Sequence, residues 1–112
     1  MKKILTAGLM MCSFGAISKP YDIQIPSDSN ASYTVIDKTK EGSVRTVTTK
    51  RVGKSGVTYS KRAYDCKNRE VKYLGSGETL EEMKSSKPDE KMAPITEGSI
   101  ADYIGYEACK QN

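Results

Sequence analysis

The sequence predicts an α+β domain: an antiparallel β-sheet of about four or more strands in a meander, with a C-terminal α-helix packed on it and tied by one disulfide. Three observations carry this. Four stretches rich in β-branched and aromatic residues follow one another between residues 32 and 75, separated by short polar or glycine-containing turns. Ile100, Tyr103, Ile104 and Ala108 fall at i, i+3, i+4 and i+8, one apolar stripe of a helix. Cys66 ends the third strand stretch and Cys109 ends the helix, so a bond between them would pin one to the other.

The elements follow in order. Met1-Lys2-Lys3 opens an apolar run from Ile4 to Ile17, interrupted by the polar Thr6 and Ser13. A basic start, about a dozen apolar residues and then small residues describe a secretory signal peptide over 1–18. The run is shorter than the roughly 20 residues a bilayer span needs. Ala16 and Ser18 supply the small −3 and −1 residues of a cut before Lys19. Cys12 has Leu9 at −3, as in a lipoprotein signal, but the bulky Met11 at −1. It is expected to leave with the leader, and membrane attachment is expected only if Cys12 is lipidated. Cleavage would remove Lys2 and Lys3, taking 18 basic residues to 16 against 14 acidic and the net charge from +4 to +2. Cys66 and Cys109 then remain. In an oxidising compartment such a pair forms a disulfide. Closing a loop of about 44 residues stabilises by about 4 kcal/mol on the chain-entropy model.

Residues 19–31, with Pro20, Pro26, Asp22, Asp28 and Asn30, read as a flexible N-terminal segment before a single domain over 32–112. Ser32 to Asp37 is the first strand and Lys38 to Ser43 a polar turn. Val44 to Val52 is the second strand, and Gly53-Lys54-Ser55-Gly56 a hairpin loop. Val57 to Cys66 is the third, with Val57, Tyr59 and Ala63 on one face and Tyr64 and Cys66 on the other. Lys67-Asn68 makes a tight turn into Glu70 to Gly75, the fourth. Glu78 to Met92 is polar, with at most a turn of helix near Leu80 to Met83. Thr96 is the expected N-cap of the C-terminal helix, with Glu97 in its first turn.

Composition excludes much chemistry. With no His there is no imidazole base, triad or His metal ligand, and three Cys cannot build a four-thiolate zinc site. Gly75-Ser76-Gly77 and Gly53-Lys54-Ser55-Gly56 lack phosphate-loop spacing and read as turns or strand bulges. Glu78, Glu81, Glu82, Asp89 and Glu90 read as a solvated acidic loop. No catalytic, cofactor-binding or metal residue is expected, and no enzyme. Lys38 to Arg62 holds eight basic residues against one acid, Glu41. Arg45, Lys50, Arg51, Lys61 and Arg62 are therefore the candidate binding face, for an anionic protein, glycan or lipid headgroup. Nucleic acid is not an expected partner of an exported chain.

Tyr64-Asp65-Cys66 with its Asn68-Arg69 turn and following strand, then Gly98-Ser99 ahead of a helix ending in Cys109, resembles the surface-adhesin protein E-like family of small exported bacterial proteins. The resemblance covers roughly residues 32–110. It implies an antiparallel sheet with a C-terminal helix tied on by Cys66–Cys109. The family is named for a dimeric adhesin that binds host extracellular-matrix proteins, so the resemblance also implies a homodimer and a protein or host partner. It carries no binding residue onto this chain. The expected function is an exported, non-catalytic bacterial envelope protein, in the periplasm or at the cell surface or outer membrane, that binds a protein or an anionic envelope component. The alternative is a periplasmic enzyme inhibitor or immunity-type protein acting through the loop Glu78 to Met92.

Overall fold

A computed structural model describes residues 19–110; the expected signal peptide, with Cys12, lies outside the described residues. The elements are β1 (Tyr21–Ile23), a 3-10 turn (Pro26–Asp28), β2 (Ser32–Glu41), β3 (Val44–Gly53), β4 (Gly56–Asp65), β5 (Glu70–Gly77), α1 (Leu80–Ser85), β6 (Ala93–Pro94) and α2 (Ile100–Cys109). The strands form one antiparallel sheet in the order β1-β2-β3-β4-β5-β6, each beside its neighbour in sequence.

Local chemistry explains the central hairpins. β3 and β4 are rich in Val, Thr and Tyr, and they pair from Val44↔Asp65 to Gly53↔Gly56. The reversal is left to Lys54-Ser55, and Gly56 at φ +125° takes a backbone shape that side chains disfavour. At the other end the Asp65 carboxylate accepts hydrogen bonds from the Asn68 backbone N–H (3.1 Å) and side-chain amide (2.9 Å), tightening the turn into β5.

Two stretches depart from the sequence expectation. Lys38 to Glu41 continues β2, and only Gly42-Ser43 turns. Polarity here marks a strand whose charges have work at a helix end: Lys38 Nζ donates to the Glu107 carbonyl at 3.3 Å. Thr39 and Thr46 also join hydroxyls across β2 and β3. The lead-in 19–31, expected to be flexible, carries β1, with Tyr21 opposite Val35 and Ile23 opposite Tyr33. Ile25 is buried with the core.

Strand alternation gives the sheet two faces. On the first, Tyr33, Val35, Val47 and Tyr64 pack with Ile25 and with Ile104 and Ala108 of α2. Val35, Val47, Tyr64 and Ile104 are fully buried. The expected helical stripe is the stripe that packs. Its start lies further on than expected: Ser99, not Thr96, caps α2 by accepting from the Asp102 N–H at 3.1 Å. The Asp102 carboxylate accepts in return from the Gly98 N–H at 2.8 Å. That reciprocal pair satisfies donors that Thr96 and Glu97 could not reach. Gly105 is a notch for the Tyr64 ring, since a Cβ there would lie 2.6 Å from Tyr64 Cε2. The Cys66–Cys109 disulfide, with Cα atoms 5.8 Å apart, ties the end of α2 to the residue after β4.

The second face carries α1 against β5 and β4, with Met83 and Ala63 buried.

Candidate functional site

The five residues expected to make one basic face are divided by strand geometry. Lys50-Arg51 and Lys61-Arg62 are adjacent pairs within strands, and successive side chains point to opposite faces. Arg45, Arg51 and Arg62 lie on the α2 face, in register with Tyr64, Thr58 and Val47, whereas Lys50 and Lys61 lie on the α1 face. They are not a single surface, because a run of basic residues in a strand cannot all face one way.

The three arginines are engaged internally. Arg45 Nη1 donates to the Ala108 carbonyl at 3.2 Å, where α2 ends and a cation is favourable. Arg51 grips Asp28 through Nε at 2.7 Å and Nη2 at 3.3 Å, and the Tyr33 hydroxyl donates to the same carboxylate at 2.7 Å. Arg62 is 6% exposed. Its guanidinium lies 4.7 Å from the Tyr73 ring centre and donates to the Tyr73 hydroxyl at 2.9 Å and to Thr49 Oγ1 at 3.4 Å. Its Nε has no hydrogen-bond partner, and no carboxylate pairs with it among the described residues. The ring face and two hydroxyls offset part of the desolvation of that buried cation.

The Asp28 cluster gives a pH signature. Hydrogen bonds from Arg51, then from Tyr33, hold the Asp28 carboxyl below its usual range. A depressed folded pKa contributes stability above the unfolded value of about 3.9, and that contribution is lost as pH falls through the folded value. Asp28→Asn is therefore expected to lower the melting temperature at pH 7, with the gap from the parent chain closing as both approach about pH 2. Equal gaps at both pH values, measured by thermal unfolding, would contradict this.

The α1 face is built differently. Register places Glu41, Asp65 and Glu70 toward one end of it, and Lys50, Lys61 and Lys72 beyond them. Among the described residues none of these three lysines pairs with a carboxylate. Two irregularities in the ladders sit on neighbouring rows of this face. The register slips between Val35 and Asp37, and again between Arg62 and Lys61, and Asp37 and Lys61 both pair with Thr48. A bulge keeps two successive residues on one side. Here it turns Ile36 with Asp37, and Leu74 with Gly75, toward α1.

Between the sheet and α1 these residues line a cleft of about 440 Å³, together with Thr48, Lys61, Leu80, Met83 and Lys84. α1 closes onto the sheet because Gly75 and Gly77 bare the strand beneath it. A Cβ on Gly77 would lie 2.8 Å from the Met83 nitrogen, and one on Gly75 would strike the Met83 carbonyl. The helix is held at its start by Thr79, which accepts from the Glu82 N–H at 3.0 Å, while Glu82 Oε1 accepts from the Glu78 N–H at 2.9 Å. At its end the Ser86 hydroxyl accepts from the Ser76 N–H at 2.9 Å. Leu80 is 40% exposed. The arrangement offers an aliphatic floor, two ammonium groups and one carboxylate, which suits holding a ligand by its apolar body and a charged end.

Glu78 to Met92, expected as a solvated acidic loop, keeps Glu78, Glu81, Glu82, Asp89 and Glu90 exposed, but its backbone is strapped to the sheet. It holds α1, and Asp89 then pairs with Tyr73 along the β5 edge, donating its N–H to the Tyr73 carbonyl (3.0 Å) and accepting the Tyr73 N–H (3.1 Å). Sequence reasoning missed the cleft residues Ile36, Leu74, Leu80, Met83 and Lys84. Two signals for it were present: glycines two apart in a strand, which bare one face, and Thr79-x-x-Glu82, a capping-box pattern.

No family model, curated protein or solved structure matches the chain. Among the described residues no helix is long and apolar enough to cross a membrane.

Proposed function

We propose that the protein is an exported, non-catalytic bacterial envelope protein that binds an anionic protein, envelope or host component through the lysine face of its sheet. One observation carries this: Lys50, Lys61 and Lys72 share a face and make no ion pair among the described residues, while Arg45, Arg51 and Arg62 are engaged internally. Unpaired cations on one side of a sheet attract polyanions. The disulfide supports an oxidising compartment, outside the cytosol. The resemblance to the surface-adhesin protein E-like family supports the same placement, with a sheet and tied helix presented to a partner.

The test uses two anionic probes, immobilised heparin and phosphatidylglycerol vesicles, with the full chain. Binding is expected to weaken as salt rises from about 50 to 300 mM, because screening shortens the reach of exposed charges. Lys50→Glu with Lys61→Glu is expected to weaken it at least about tenfold, or about 1.4 kcal/mol. Affinity insensitive to salt, or unchanged in the double variant, would overturn the reading.

A further inference from the structure

We infer that the cleft under α1 is a binding site for a single-chain anionic amphiphile of the fatty-acid class, its acyl chain on the aliphatic floor and its carboxylate between Lys61 and Lys84. The inference deepens the lysine-face reading, with which it shares Lys61.

The floor comes first. Ile36, Leu74, Leu80 and Met83 converge from two strands and a helix, and two bulges on neighbouring rows are what bring Ile36 and Leu74 there. A bulge gives up ladder pairing, and bulges concentrate where a side chain is re-aimed for use. Around the floor this face carries Thr39, Thr46, Lys50 and Lys72, with Val44 at one end and Val52 and Val57 at the other. Leu80 is exposed and Ile36 and Leu74 are half-buried, so the cleft leaves apolar surface in water that a bound chain would cover.

The size and shape of the chemistry follow. About 440 Å³ falls within the roughly 300–1,000 Å³ of small-molecule sites. The lining has no aromatic ring, so nothing there favours a flat ligand. Met83 contributes a flexible thioether that adapts to a chain. The charges then select the head. Lys61 and Lys84 flank the floor against a single carboxylate, Asp37, and neither lysine is ion-paired among the described residues. Asp37 stands two strands from Lys61, about 10 Å away backbone to backbone, and no ion pair joins them among the described residues. A ligand carboxylate supplies the missing partner, and a chain supplies the missing apolar cover.

The experiment titrates the full-length, disulfide-intact protein with dodecanoate below its micelle concentration, by calorimetry and by native mass spectrometry. Dodecyl maltoside (same chain, neutral head) and acetate (same head, no chain) run in parallel. The expected result is saturable 1:1 binding of dodecanoate, with the maltoside at least about tenfold weaker and acetate not bound. Leu80→Asp is expected to weaken dodecanoate at least about tenfold, and Lys84→Gln about three- to tenfold. Both positions are exposed and at the ends of α1, and an acid in the first turn suits the helix, so folding is kept. No saturable binding, equal affinity for the maltoside, or dodecanoate binding unchanged by Leu80→Asp would overturn the inference. Lys50→Glu lies outside the cleft and separates the two readings. Lys50-dependent heparin binding without dodecanoate binding refutes the cleft alone. Dodecanoate binding without polyanion binding refutes the lysine face alone.

Discussion

Replacing Cys66 and Cys109 together by serine is expected to cost the domain about 3–4 kcal/mol. The bond spans a sequence separation of 43, so the unfolded chain loses much of its freedom when it is present. Its position in the fold adds a local effect. α2 has ten residues, too few to hold helical structure alone. It is kept on the sheet by Ile104 and Ala108, by Tyr64, and at its end by the disulfide and by Arg45 and Lys38 on its last carbonyls. Without the bond, α2 should open more often than β3 and β4. Urea unfolding with and without reductant checks the first claim, and the denaturant slope should rise as the unfolded state expands. Hydrogen exchange checks the second. A loss below about 1 kcal/mol, or equal exchange gains in α2 and β3, would contradict the account.

Tyr64→Ala is expected to cost about 3–5 kcal/mol, the range for emptying an aromatic site in a core. Tyr64 is fully buried and meets the helix in two ways: its ring lies in the Gly105 notch, and its hydroxyl donates to the Ala101 carbonyl at 2.6 Å. Tyr64→Phe separates them, losing one hydrogen bond and about 1 kcal/mol. Gly105→Ala tests the notch from the other side. Alanine is the better helix former by about 1 kcal/mol, yet its Cβ would enter the ring, so a net loss of about 1–2 kcal/mol is expected. Burial pushes the Tyr64 hydroxyl up. A raised folded pKa keeps its contribution intact below the unfolded value of about 10, to be lost only as pH rises above that. Thermal unfolding of the three variants at pH 7 decides. If Tyr64→Phe costs as much as Tyr64→Ala, the hydroxyl and not the ring holds α2.

Much of the architecture was legible because it is local. The faces of β4 followed from alternation: Val57, Tyr59 and Ala63 are on one side and Tyr64 is on the other. The α2 stripe followed from spacing. The Cys66–Cys109 pairing followed from the residues left after the expected leader. The basic face did not form as expected for a reason also present in the sequence, since Lys50-Arg51 and Lys61-Arg62 are neighbours in strands. Other elements depended on partners the sequence does not display. β1 forms because Tyr33 and Val35 offer an open edge to Tyr21 and Ile23. Lys38 stays in β2 because Val47 lies opposite it and its ammonium reaches the end of α2, and Lys40 is carried along by the ladder although Arg45 lies opposite it.

By itself, then, the sequence determined the strands of the central hairpins, the helix and its apolar stripe, and the two cysteines available to join them. These rest on period, turn chemistry and count, which act within a few residues. Tertiary structure alone decided the cleft. The bulge at Ile36 has no local signature, and the one at Leu74 only the neighbouring Gly75-Ser76-Gly77, because a bulge sacrifices ladder hydrogen bonds that packing elsewhere must offset. Gly75 and Gly77 admit α1, α1 brings Leu80, Met83 and Lys84, and the two bulges bring Ile36 and Leu74 to meet them. Residues far apart in the chain become one site there because four strands and α1 meet on one face of the sheet.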